Sequence, residues 1–117
     1  MEDTQMLKGI LEGCVLAIIS RGETYGYEIL ATLDSYGFHD LIEGTLYPVL
    51  TRLDKKDYIY CRIGESPRGP KRKYYRITDK GKQYLASFIQ EYQEMTRRAD
   101  QILFYEKHEE ANADGEL

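Results

Sequence analysis

The chain has 117 residues, 42% hydrophobic and 31% charged, with a formal net charge of −4. That suits one small folded domain without room for a second sizeable core. No run approaches the roughly 18 apolar residues of a membrane span, and the acidic start at residues 1–4 is unlike a secretory leader. The expected setting is the cytoplasm, with no membrane contact. The charge is unevenly spread: residues 52–82 hold 11 basic and 4 acidic side chains, a balance of +7, against −11 for the rest. Such asymmetry suits a domain that turns one face to a polyanion. Cys14 and Cys61 match no metal or redox spacing and read as small hydrophobes, so no metal or cofactor is expected. His39 and His108 have no partner pattern for acid–base or nucleophilic work, and no phosphate-cradling glycine motif is present. The composition disfavours an enzyme.

Leu7, Ile10, Leu11, Cys14, Val15 and Ile18 recur in steps of three and four, which predicts a helix over residues 6–20, stopped by Gly22. Thr24 is placed to cap a second helix reaching about residue 36. In a third, over residues 44–56, Leu46, Val49, Leu50 and Leu53 occupy i, i+3, i+4 and i+7. Pro48 is tolerable there only near the first turn, and neither Ile42 nor Glu43 caps well. Ile59, Cys61 and Ile63 then alternate with Tyr58, Tyr60 and Arg62, the period of a strand. Residues 64–72, punctuated by Pro and Gly, read as a loop, and residues 73–77 as a second strand with Tyr75 and Ile77 inward. Thr78 and Asp79 open a last helix. Along it Leu85, Phe88, Tyr92, Met95, Ala99 and Ile102 form a heptad-like seam, widened by Ile89. The acidic tail, residues 108–117, is expected to be disordered.

Three helices, a hairpin and a helix make a winged helix-turn-helix, mainly α with a small β-hairpin, plus a long C-terminal helix. The reading assigns residues 1–78 to the DNA-binding domain and 79–107 to a dimerisation helix. Burying the apolar stripe of the third helix turns Thr45, Tyr47, Thr51, Arg52 and Lys55 outward, groups that suit phosphates and base edges. Arg68, Lys71, Arg72 and Lys73 crowd the hairpin loop, with no acid between Arg68 and Arg76, where a wing meets phosphate. Either set alone also fits a solvated surface; a DNA-binding face explains both.

Three stretches carry a family likeness. They are Tyr25-Gly26-Tyr27-Glu28-Ile29; Gly44-Thr45-Leu46-Tyr47-Pro48-Val49-Leu50 with Arg52-Leu53; and Lys71-Arg72-Lys73-Tyr74-Tyr75-Arg76-Ile77-Thr78 with Gly81. Over about residues 7–102 the sequence resembles the PadR family of bacterial transcriptional regulators, in its short form with a single C-terminal helix. Asp57 stands where relatives often carry Gly, and Ile42 where many have a capping Ser. The resemblance implies a homodimer, its C-terminal helix packed on the partner's first helix, that represses from an inverted-repeat operator in double-stranded DNA. It puts Thr45, Tyr47 and Arg52 at the DNA and Lys71, Arg72 and Lys73 on the wing, and it implies release by a small aromatic or amphipathic effector. The alternative is a winged-helix protein-interaction or small-molecule sensor module that does not bind DNA.

Overall fold

Leu16, Ile19, Ile29, Leu53 and Ile59 are fully buried together, and the elements that supply them define the architecture. The structure, a computed structural model, describes residues 5–67 and 69–106. Its order is α1 (Gln5–Ile19), β1 (Thr24–Tyr25), α2 (Gly26–Ser35), α3 (Glu43–Lys55), β2 (Ile59–Ser66), β3 (Gly69–Ile77) and α4 (Asp79–Leu103). The three strands form one antiparallel sheet in the order β1-β3-β2. The fold is thus mainly helical with a small sheet and a C-terminal helix, a winged helix-turn-helix. Compact units divide between Leu85 and Ala86, so the first turns of α4 belong with the winged domain. Arg68, His108 and the acidic tail lie outside the described residues.

Each helix of the core presents its apolar face for the periodic reason. The stripe Leu46, Val49, Leu50 and Leu53 of α3 is buried to the last residue, and full burial of one such side chain contributes roughly 1.5–3 kcal/mol. Both α2 and α3 end in the same hydrogen-bonded turn. Phe38 N–H reaches Leu33 O and Gly37 N–H reaches Asp34 O; Tyr58 N–H reaches Leu53 O and Asp57 N–H reaches Asp54 O. This closure needs a left-handed residue just past the helix. Gly37 supplies it at φ 101° and Asp57 at φ 63°, Asp being among the few side chains that tolerate that region. The Asp found where relatives often have Gly therefore keeps the turn.

Several local expectations need correction. Thr24 does not cap α2. It sits in β1, with its backbone committed to pairing with Tyr75, and its hydroxyl donates to Glu28 Oε1 at 2.6 Å. The cap position falls to Tyr25, which makes no side-chain cap bond. Pro48 lies in the second turn of α3, not the first; the hydrogen bond it cannot make is the one to Gly44 O, and Gly44 is exposed, so water can serve that carbonyl. The strands run on to Ser66 and resume at Gly69, which puts Lys71 and Arg72 on a strand. Pro70 is compatible with this because β1 pairs only with Tyr74 and Tyr75, so its outer edge of β3 is unpaired and needs no N–H. Ile63, on the same strand face as Ile59, is 65% exposed; the hairpin outruns the core beyond Ile59.

Thr78 caps α4 as its sequence position suggests, accepting the Gly81 N–H at 2.9 Å. A Cβ on Gly81 would collide with the backbone carbonyl of Tyr58, the same carbonyl that accepts the Thr78 N–H at 3.0 Å. Helix α4 is thus lodged against the entry to β2. Gly81→Ala should lower unfolding free energy by about 1–3 kcal/mol, the usual cost of overpacking. Urea unfolding of the purified variant measures this, and an unchanged midpoint would refute the close approach.

Candidate nucleic-acid interface

With the apolar stripe of α3 buried, Tyr47, Thr51, Arg52 and Lys55 are exposed and Thr45 is half-buried. Tyr47 borders a cleft of about 510 Å³ lined also by Tyr25, Gly26 and Tyr27 at the start of α2 and by Lys71, Arg72, Lys73 and Tyr75 of β3. Helix α3 and strand β3 therefore share one cationic, tyrosine-rich surface with no acidic lining residue. Thr45 and Arg52 face a second cleft of about 330 Å³, toward Lys8 and Leu11 of α1.

Strand alternation separates cations that looked equivalent in sequence. Lys71 and Lys73 follow the face of Tyr75, and both are exposed. Tyr75 itself is 6% exposed, and burial pushes its hydroxyl pKa up to about 12, so it stays neutral. Arg72 is half-buried on the opposite face, its guanidinium 3.8 Å from the centre of the Tyr25 ring. Tyr25 meets Tyr74 edge to face at 5.8 Å, and the Arg62 guanidinium lies 4.5 Å from the Tyr74 ring centre. The stack ends on Glu23, which accepts from Arg62 Nε at 2.7 Å and Nη2 at 2.8 Å, and from Arg76 Nε at 3.3 Å. Arg72, Arg62 and Arg76 thus brace the wing, while Lys71 and Lys73 carry no ion pair among the described residues. Sequence reasoning missed Glu23, which has no local pattern to mark it, and quoted Tyr25 and Tyr27 as part of a family motif without assigning them to the site.

Cys14 and Cys61 are free and half-buried, and burial raises both thiol pKa values. They act as small hydrophobes on the core. No group of three or more His, Cys, Asp or Glu side chains is placed to hold a metal ion among the described residues. None of their helices is long and apolar enough to cross a membrane.

The PadR-like transcriptional regulator family model matches residues 15–87. The chain belongs to that family. A crystal structure of a PadR-like transcriptional regulator from Bacillus cereus is similar at 46% identity, over 86% of this chain and 97% of that one, with a TM-score of 0.75. A Streptococcus transcriptional regulator is 40% identical over 86% and 98% of the two chains, with a TM-score of 0.76. An uncharacterised protein of Lysinibacillus sphaericus is 37% identical over 86% of this chain and 94% of its own. The family is one of transcriptional regulators, which implies regulation by DNA binding, and its model covers the chain from the end of α1 into the third turn of α4.

The Glu23 carboxyl is held below its ordinary pKa by hydrogen bonds from Arg62, with Arg76 adding to the effect. For a carboxylate with a lowered folded pKa, the tether is present above the unfolded pKa and is lost as pH falls through the folded one. An NMR titration should therefore place the Glu23 midpoint below that of an unpaired Glu. The Arg62 Nε–H chemical shift should move as pH falls through that midpoint, and Glu23→Gln should abolish the movement. An ordinary midpoint, or an Arg62 signal indifferent to the substitution, would mean that the brace does not form in solution.

Proposed function

We propose that this PadR-like regulator is a cytoplasmic repressor that binds an inverted-repeat operator as a homodimer and is released by a small aromatic or amphipathic ligand. The observation that carries the DNA reading is the shared cleft, where Tyr47 of the recognition helix stands beside the unpaired Lys71 and Lys73 of the wing strand. In this reading Tyr47, Thr51, Arg52 and Lys55 enter the major groove with Thr45 at its edge. Lys71 and Lys73 take backbone phosphates, Arg72 sets the wing's shape, and Arg68 adds a further cation for phosphate. Residues 1–78 bind DNA and α4 dimerises.

A lysine on phosphate contributes about 0.9 to the slope of log affinity against log salt. Two lysines in each of two subunits make four contacts, so Lys71→Ala/Lys73→Ala should flatten that slope by up to roughly 4 units. The loss should be similar on a selected duplex and on an unrelated one, because phosphates carry no direct sequence information. An unchanged slope in a folded double variant would leave these lysines as solvated charge and favour a protein-interaction module instead.

The homodimer reading rests on the outer half of α4. Ile89, Tyr92, Met95 and Ile102 are 46%, 46%, 58% and 77% exposed, an apolar seam larger than a lone helix ordinarily leaves uncovered. Phe88 and Ala99 complete it, half-buried, whereas Leu85 packs on the core of its own winged domain. Placing two carboxylates in a covered apolar seam costs several kcal/mol unless they find partners. Tyr92→Glu/Met95→Glu, at positions open in the single chain, should therefore give folded monomers at micromolar concentration in sedimentation. A dimer that survives the pair of charges would put the interface elsewhere.

A further inference from the structure

Arg52 of the recognition helix does not project freely. Its Nε lies 3.4 Å from Oε1 of Glu12 on α1, and Oε2 of the same carboxylate accepts the Tyr84 hydroxyl at 2.9 Å. Tyr84, two turns into α4, is itself held by stacking on Tyr58, ring centres 4.3 Å apart and planes 13° off parallel. The Glu12 side chain is 15% exposed and that of Arg52 50%. The carboxylate is the fixed member of the pair, and the outer end of the arginine is the part that meets solvent.

A guanidinium presents five N–H donors in one rigid plane. Engaging Nε restrains that plane and leaves the two terminal nitrogens available on a side chain that is half exposed. A guanine edge in the major groove offers two acceptors, O6 and N7, at a spacing such a fork matches. An arginine held in this way loses less rotamer freedom on contact than one that waves in solvent. Glu12 also places a negative charge beside the binding face, which disfavours indiscriminate approach to phosphate.

Resting on the DNA-binding reading above, we propose that Glu12, fixed in turn by Tyr84, is a positioning residue that aims the terminal nitrogens of Arg52 at a guanine edge. Its effect on binding is two-sided. It strengthens the contact with the matching sequence and weakens binding to any other duplex.

The probes are a duplex recovered by the wild-type protein from random-sequence DNA and an unrelated duplex of equal length. Glu12→Ala should weaken binding to the recovered duplex by roughly tenfold, the lower range for one bidentate base contact, and leave the unrelated duplex unchanged or slightly tighter. Glu12→Gln, which keeps an acceptor for Arg52, should recover most of the loss, and Tyr84→Phe, which keeps the ring stack, should fall between the two. In an Arg52→Ala background, Glu12→Ala should add no further loss, because the two residues act as one unit. Equal losses on both duplexes, or additive losses in the double variant, would overturn the proposal. So would an Arg52→Ala protein that binds the recovered duplex normally, although the DNA reading would survive that result. Failure to recover any duplex would remove that reading and this one with it. If Glu12→Ala does not fold, Tyr84→Phe decides alone: a selective loss on the recovered duplex supports the proposal, and an equal loss on both sinks it.

Discussion

Everything on the DNA-facing side depends on how α3 is seated. Four apolar side chains at helical spacing, Leu46, Val49, Leu50 and Leu53, are all buried, and Leu53 meets Leu16, Ile19, Ile29 and Ile59 in the fully buried centre. A helix so anchored cannot roll, because turning one apolar residue outward forfeits its burial and turns a charged one in. The outward set is therefore determined by the inward one. A functional face is obtained here without any residue being spent on holding the helix from outside.

The wing poses the opposite problem, since its strands outrun the core. Beyond Ile59 and Tyr75 little apolar burial supports the hairpin, and Ile63 is left exposed. The support that replaces it is electrostatic and aromatic: Arg72 on Tyr25, Tyr25 against Tyr74, Arg62 on Tyr74, and Glu23 accepting from Arg62 and Arg76. Single exposed cation–π contacts are worth only about 0.5–1 kcal/mol, and exposed ion pairs are similarly weak, so the brace acts as a network or not at all. It also explains how a segment of balance +7 folds without self-repulsion. Three of its arginines are engaged by rings or by the Glu23 carboxylate, and Lys71 and Lys73 are left for solvent or a polyanion.

The helices were legible because each carries its own period over ten residues or more. Strand β1 was not, since two residues have no period, and its pairing with Tyr74 and Tyr75 lies some fifty positions away. Pro67, Gly69 and Pro70 suggested a long loop, whereas Gly69 and Pro70 lie on β3, where an unpaired strand edge accommodates Pro70. The recognition-helix face and the lysines could be named from local pattern and from family likeness. Their supports could not: Arg62 and Glu23 are 39 positions apart, Arg52 and Glu12 are 40, and Tyr84 and Glu12 are 72. Local sequence shows which side chains carry charge. It does not show which of them already have a partner, and that decides what remains for a ligand.

Helix α4 belongs to both compact units, and its first turns are the more constrained. Thr78 caps it, Gly81 lets it approach Tyr58, and Tyr84 bonds Glu12, while Leu85 packs on the winged core. From Ile89 onward it offers apolar side chains with no core of their own. A ligand or partner that binds this outer part can change DNA affinity only if it distinguishes two arrangements of the protein, and one place where such arrangements could differ is a contact reaching α3. Glu12 is such a contact, since one carboxylate joins α1, the start of α4 and the recognition helix. A shift in the first turns of α4 that drew Tyr84 away would leave Glu12 held by Arg52 alone. In that position, on the positioning reading, the carboxylate would compete with DNA for the arginine instead of aiming it.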